Sequence, residues 1–276
     1  MRGRTRIIRG AGGIATLVAA ALGAYAVQSH RESQNATGPA SGAVGVLELF
    51  TSEGCSSCPP ADNVLARIIK DPRMQQPRVY ALAFHVDSWN QATWSDPYSS
   101  PEYTRREELY NKMGVSDGIY TPQMVVNGSK VGVASDGAVI RSLIDDAMRL
   151  PASVALKLTA EPSAKEITTT VDSSKTPGGA ILNIALVQRE IVSHVPAGEN
   201  AGRTLHHENV VRAYKSVELT QPHMTVKLAM PSDIVIADCS VIAYVQDAKL
   251  AVLGATDALL SEPTVRRPSA PAASQP

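Results

Sequence analysis

Cys55 and Cys58, separated by Ser56-Ser57, are the residues of this chain best suited to chemistry. A C-x-x-C pair where a strand passes into a helix closes a small disulfide ring. The unpaired N–H groups at the helix start stabilise a thiolate on the first sulfur. Thr121-Pro122 follows later in the chain. A cis X-Pro bond there lays a backbone edge beside that sulfur, where an extended substrate pairs. The two pieces in this order point to thiol–disulfide chemistry. Cys55 is the expected nucleophile, left uncovered by Gly54, and Cys58, one helical turn in, the buried resolving thiol. A structural disulfide and half of a zinc site are the alternatives. A zinc site needs two more ligands, no second C-x-x-C exists, and Cys239 lies in another part of the chain.

Four further residues are candidates for lining the site or relaying a proton. Glu48 is a lone carboxylate in an apolar run; buried, it holds its proton more tightly and can pass it on, and facing outward it is merely solvated. His85, Asp87 and Trp89 end a predicted strand on one alternating side. The plain reading makes His85 a hydrogen-bonded core residue and Asp87 a turn cap. Glu53 would oppose a thiolate on Cys55 if close. His206-His207 invites a metal reading, but neighbours on a strand face opposite ways and cannot easily share an ion. No resident metal or cofactor is expected. Asn127-Gly128-Ser129 matches a glycosylation sequon, which a turn explains equally well.

The elements that must position these residues are legible from periodicity. Residues 44–50 and 79–86 read as buried strands joined by a helix over 58–70, with Val64, Leu65, Ile68 and Ile69 as its stripe and Asp71-Pro72 as its end. That is a βαβ unit with parallel strands. Gln123–Val126 and Lys130–Val133 flank Asn127-Gly128 as a hairpin, and a helix over 136–149 follows, with Val139, Ile140, Leu143, Ile144, Ala147 and Met148 as its stripe. The order βαβ then ββα is that of a minimal α/β thioredoxin-like core over residues 44–150. Residues 88–118 are an insertion, with Ser100-Pro101-Glu102 opening a helix, Gly114 closing it, and Tyr103, Tyr110 and Met113 on one face. Seven of the twelve aromatics lie between Phe84 and Tyr120, which fits a small satellite core or a groove beside the cysteines. Pro151 marks an expected boundary. Beyond it, alternating runs such as 166–173 and 240–247 predict an antiparallel β-sandwich of about seven strands over 152–262, a separate core.

The bulk properties set the compartment. With 26 basic and 26 acidic residues, no net field favours nucleic acid or an anionic membrane. Residues 1–26 carry Arg2, Arg4, Arg6 and Arg9, then an apolar run and the small-x-small triplet Ala24-Tyr25-Ala26. They read as a signal peptide, with an uncleaved N-terminal anchor as the alternative. Either way the rest is exported, to the periplasm or beyond, and meets a membrane only through that segment. Residues 27–43 read as a polar linker and 263–276 as a disordered tail. In an oxidising compartment, Cys55 and Cys58 are free to be a disulfide or a catalytic dithiol. Cys239, the odd one, reads as a buried or edge thiol.

The runs Val46–Asp62 (VLELFTSEGCSSCPPAD), His85-Val86-Asp87 with Trp89, Thr121–Gly128 (TPQMVVNG), and Gly198–Leu205 (GENAGRTL) with Asn209–Arg212 (NVVR) resemble the signatures of a family of uncharacterised bacterial secreted proteins with a thioredoxin-like fold. The resemblance covers residues 44–255 and implies fold and compartment, leaving activity to the chemistry of the site. Two departures from ordinary thioredoxin stand out: Gly54 replaces the tryptophan before the first cysteine, and Leu49 the buried strand aspartate. The leading expectation is an exported thiol–disulfide oxidoreductase acting on protein or small-molecule thiols and disulfides of the envelope, with Thr121 and Pro122 binding substrate. A copper(I)-handling protein and a non-catalytic envelope binding protein, its Cys55–Cys58 disulfide static and Gly198–Arg212 its recognition loop, are the alternatives.

Overall fold

The structure, a computed structural model, describes residues 42–74, 78–90 and 94–261. The expected signal peptide and tail lie outside the described residues, as does all of the linker but Gly42 and Ala43. No helix among the described residues is long and apolar enough to cross a membrane.

Strand β1 (Val44–Thr51) is buried along its whole length and pairs in parallel with β2 (Arg78–His85). Helix α1 (Pro59–Lys70) joins them, with two prolines in its first turn, where a missing N–H costs little. Helix α2 (Pro101–Lys112) is the insertion helix; the Ser100 hydroxyl accepts from Glu102 N, and Gly114 takes a positive φ of 73° at its end. Strands β3 (Gln123–Val126) and β4 (Lys130–Val133) form the hairpin, and β3 runs antiparallel to β1. Helix α3 (Gly137–Ala147) is capped by the Asp136 carboxylate.

Seven strands follow: β5 (Leu156–Pro162), β6 (Glu166–Ser173), β7 (Ile181–His194), β8 (Thr204–Glu218), β9 (His223–Ala229), β10 (Cys239–Gln246) and β11 (Val252–Leu259). They do not form a body of their own. The order β11-β10-β7-β8-β2-β1-β3-β4 makes one mixed eight-stranded sheet, and β5-β6-β9 a second, antiparallel one. The join is β8 beside β2, a parallel contact registered at Ala83 and Val210, where Asn209 turns to positive φ and donates its amide to Ala81 O.

Alternation along β1 assigns its two faces. Leu47 and Leu49 pack with Val64, Leu65 and Ile68 of α1 and with Ile140 and Ile144 of α3. Val46 and Phe50 face the other way, onto Tyr103 and Tyr110 of α2 and onto Val211, Ile242, Tyr244 and Ala255 of the later strands. A third cluster fills the space between the small sheet and the opposite faces of β7 and β10. The expected division into separate cores at Pro151 is therefore corrected: the described residues on both sides of Pro151 belong to one compact unit, because the apolar face of β1 and β2 that α2 does not cover is covered by later strands. Met113 and Val139 are corrected too; both are exposed rather than in their helix stripes.

The two halves also meet at the β3–β4 turn. Asn127, at φ 46°, accepts from Val46 N and donates to Val44 O through its side chain, and its own carbonyl accepts from Val252 N. Gly128, at φ 64°, sits where an added Cβ would lie 1.8 Å from Leu250 O. Both conformation and space demand glycine. Gly128→Ala should lower stability by about 3 kcal/mol. Urea unfolding checks this; an unchanged midpoint would mean the turn is not docked.

Candidate functional site

The cysteine turn lies between the end of β1 and the start of α1. Cys55 and Cys58 are joined in a disulfide, with Cα atoms 5.4 Å apart. Cys58 occupies the cap position of α1, and its amide donates to Cys55 O at 3.2 Å. The Ser57 hydroxyl lies 3.3 Å from Cys55 Sγ. Thr121 O lies 3.9 Å from the same sulfur, and the Thr121–Pro122 peptide is cis, as expected. Trp89 holds this approach in place, because its indole N–H donates to Thr121 Oγ1 at 2.7 Å. Cys55, Cys58, Thr121, Pro122 and Trp89 are thus brought together.

One expectation about this turn is overturned. Gly54 does not leave Cys55 uncovered. It makes room for Trp89, whose carbonyl oxygen would lie 3.1 Å from an added Cβ, and both cysteines are fully buried. The remaining cover comes from the β7–β8 connection. Asn200 donates its side-chain amide to Glu53 O at 2.8 Å and to Cys55 O at 2.9 Å, while Arg203 fixes its oxygen at 2.6 Å. The Glu199 carboxylate accepts from Ser56 N at 3.0 Å, a bond that holds it below the usual carboxylate range. The Gly-Glu-Asn motif of the sequence is therefore a clamp on the cysteine turn. Its sequence distance from the cysteines hid this role.

Under the turn lies a buried polar cluster. His85 is fully buried, with Nδ1 2.7 Å from Asp96 Oδ2, and the same carboxylate oxygen accepts from Glu53 N at 2.8 Å. Burial opposes charge on His85, but Asp96 outweighs it and raises His85 above the ordinary histidine range; burial likewise opposes charge on Asp96, and His85 outweighs it and lowers Asp96. Asp62, one turn beyond Cys58 in α1, is pushed up by burial against the pull of His207 and of the Thr51 hydroxyl, which lies 3.1 Å away. His207, from β8, stands between two carboxylates: Nε2 is 3.4 Å from Glu53 Oε1 and Nδ1 3.7 Å from Asp62 Oδ2. Its neighbour His206 is exposed, so the two histidines do face opposite ways. Among the described residues, no group of three or more His, Cys, Asp or Glu is arranged to hold a metal ion.

Two sequence candidates are placed elsewhere. Glu48 is neither solvated nor available as a relay: its carboxylate is paired with Arg106 and accepts from Tyr110 OH at 2.6 Å, because its strand position faces α2. Asp87 is a strut: its carboxylate accepts from the Thr104 hydroxyl of α2, and its amide donates to the same oxygen at 3.0 Å. The strand stops at His85 and a 3-10 turn over Asp87–Trp89 breaks the expected alternation. Cys239 is a buried free thiol at the start of β10, raised by burial. Glu107, unnoticed in the sequence, is buried beside the loop that leads into Thr121 and accepts from Tyr120 N at 3.2 Å. Burial pushes its carboxyl up to about 7.

Two outcomes follow from this geometry. Losing both Asn200 bonds in Asn200→Ala should open the clamp and speed reduction of the disulfide by dithiothreitol about thirtyfold, since each net bond contributes roughly 1 kcal/mol. An unchanged rate would mean the cover does not limit access. Glu107 binds its proton more tightly folded than unfolded, so its contribution to stability is full at low pH and lost as pH rises through about 7. Glu107→Gln removes that loss. The variant should match the parent near pH 4 and exceed it by about 2–3 kcal/mol at pH 8 in paired denaturant titrations; a constant difference across pH would assign the effect to packing.

No curated protein matches the chain. An X-ray structure of an Agrobacterium tumefaciens protein is similar with 28% identity and a TM-score of 0.57, covering 81% of this chain and 97% of its own. HBP35 of Porphyromonas gingivalis is similar in fold, with 18% identity and a TM-score of 0.59, covering 87% of this chain and 82% of its own. The family model described as "Protein of unknown function (DUF1223)" matches residues 46–246, a span that runs from β1 through the cysteine turn to the end of β10. The chain belongs to that family of proteins of unknown function, DUF1223.

Proposed function

We propose that this protein is an exported thiol–disulfide oxidoreductase, built on a thioredoxin-like core to which the later strands are fused. One observation carries the reading: a C-x-x-C disulfide at the start of a helix, with the Thr121 carbonyl 3.9 Å from Cys55 Sγ. A substrate thiolate attacks Cys55 Sγ; the Cys55–Cys58 bond breaks, and Cys58 leaves as a thiolate and takes up a proton. A second substrate thiolate then attacks the substrate sulfur of the mixed disulfide and releases Cys55. The substrate dithiol is oxidised and the cysteine pair reduced; the reverse sequence reduces a substrate disulfide. The helix N-terminus and the Ser57 hydroxyl favour negative charge on Cys55. Export rests on the signal-like N-terminal sequence.

Burial of both sulfurs favours a second reading, a static disulfide in a non-catalytic protein of the envelope. The reduction potential separates the two. An exchange-active pair should equilibrate with glutathione redox buffers, whereas a structural one should stay oxidised down to about −300 mV or lower. Cys58→Ser should also accumulate Cys55-dependent mixed disulfides on non-reducing gels, formed when the Cys55 thiolate attacks an envelope disulfide and releases one of its thiolates, since the resolving thiol is gone. A pair that glutathione cannot reduce, in a protein that forms no such adducts, would leave the static reading standing.

A further inference from the structure

The buried cluster under the cysteine turn contains more polar atoms than it has hydrogen bonds. Both oxygens of Glu53, both ring nitrogens of His207 and Nε2 of His85 are buried without a hydrogen-bond partner. Such atoms are costly unless charge or exchange of a proton compensates them. His207 is 2% exposed, and the groups facing it come from every element packed around it. They are Glu53 from the turn after β1, Asp62 from α1, the His85 ring from β2 at 4.8 Å, and the Tyr98 ring from the insertion at 6.2 Å. Asp96 reaches the same cluster through His85. His207 itself comes from β8, in the half of the chain that the oxidoreductase reading does not otherwise need.

We propose that His207 is the proton carrier of the disulfide site, acting through Asp62, so that β8 is part of the redox centre. The proposal rests on the oxidoreductase reading. When Cys58 leaves as a thiolate it is fully buried, and its proton must come from inside the protein. Asp62 lies one helical turn away, its amide bonded to Cys58 O at 3.2 Å. The Asp62 carboxylic acid gives its proton to the Cys58 thiolate and becomes a carboxylate. The His207 imidazolium returns a proton to Asp62 and becomes neutral, and is reprotonated from solvent, which received the proton of the attacking substrate thiol. No atom or electron is left over: one S–S bond breaks, one forms to the substrate, and one proton passes from substrate to Cys58. Glu53 stabilises the imidazolium between transfers. His207 touches neither sulfur and positions and supplies the proton that Asp62 delivers.

The test compares the ring nitrogens of His207 by NMR in oxidised protein and in protein reduced with a phosphine, with His207→Gln used for assignment. The thiolate of Cys58 is followed by its ultraviolet absorbance in Cys55→Ser. In reduced protein the His207 ring shifts should gain an inflection that tracks the Cys58 thiolate; in oxidised protein, which has no thiolate, that inflection should be absent. His207→Gln should displace the thiolate titration by about one pH unit and slow dithiol exchange about tenfold. The exposed neighbour variant His206→Gln should do neither. Identical His207 curves in the two redox states would overturn the proposal while leaving the oxidoreductase reading intact. If His207→Gln does not fold, through-space contacts to the His85 and Tyr98 rings assign the His207 signals, and the wild-type comparison still decides. A disulfide that cannot be reduced in the folded protein would overturn both.

Discussion

The structure depends on one buried ion pair. Arg106 of α2 meets the Glu48 carboxylate of β1 through both Nε and Nη2, in a space closed to water. Removing two charges from water costs several kcal/mol per ion, and only complete pairing returns it. Here pairing is complete. The same guanidinium donates to Tyr110 OH at 3.0 Å, Tyr244 OH at 2.8 Å and Gln246 Oε1 at 3.1 Å, and the rings of Phe84, Tyr110, Tyr214 and Tyr244 surround it at 5.0–5.7 Å. Burial opposes the charge on Arg106, and Glu48 together with the surrounding Tyr110, Tyr214 and Tyr244 outweighs it, so the guanidinium holds its proton more tightly than usual. These groups belong to β1, β2, α2, β8 and β10. The pair can be satisfied only when all five are in register, so it specifies the docking of the insertion and of the later strands rather than merely adding to stability.

That register explains where a linear reading succeeds. Local signals act within a few residues, and the elements they define are present: α1 stops at Asp71-Pro72, Ser100 caps α2, and Asn127-Gly128 turns the hairpin. The strands β6 and β10 fall where alternation puts them. What periodicity cannot report is which strand lies beside which. The pattern of β8 is blurred because its two faces meet different surroundings: His207, Val210 and Val211 are buried while His206 is exposed, and Asn209 interrupts the alternation at positive φ. A strand that closes one sheet onto another need not alternate cleanly, so the fusion at Ala83 and Val210 leaves no local trace.

The site divides along the same line. Cys55, Cys58 and Thr121-Pro122 carry their chemistry in residue type and spacing, and they meet as expected. Glu48 and Asp87 looked chemical because they were carboxylates near the motif. Their orientation follows from α2, a long-range partner that spacing does not disclose. Conversely, Asn200 and His207 reach the cysteine turn from 145 and more residues along the chain, and Glu53 and Asp62 became informative only once His207 stood between them. An isolated histidine in a strand is usually a core residue; here five buried atoms without hydrogen bonds distinguish the cluster.

The strand order has a consequence for synthesis. The outer edge of β2 is covered by β8, and β8 begins only at Thr204. A nascent chain that has released β1, β2 and the hairpin therefore carries an open strand edge in the middle of its future sheet until the second half emerges from the ribosome. Unpaired edges template pairing with other chains. The first half is thus not a module that the later strands decorate: during its own birth it is a sheet with a missing neighbour, and any holding factor in its compartment would find it in that interval.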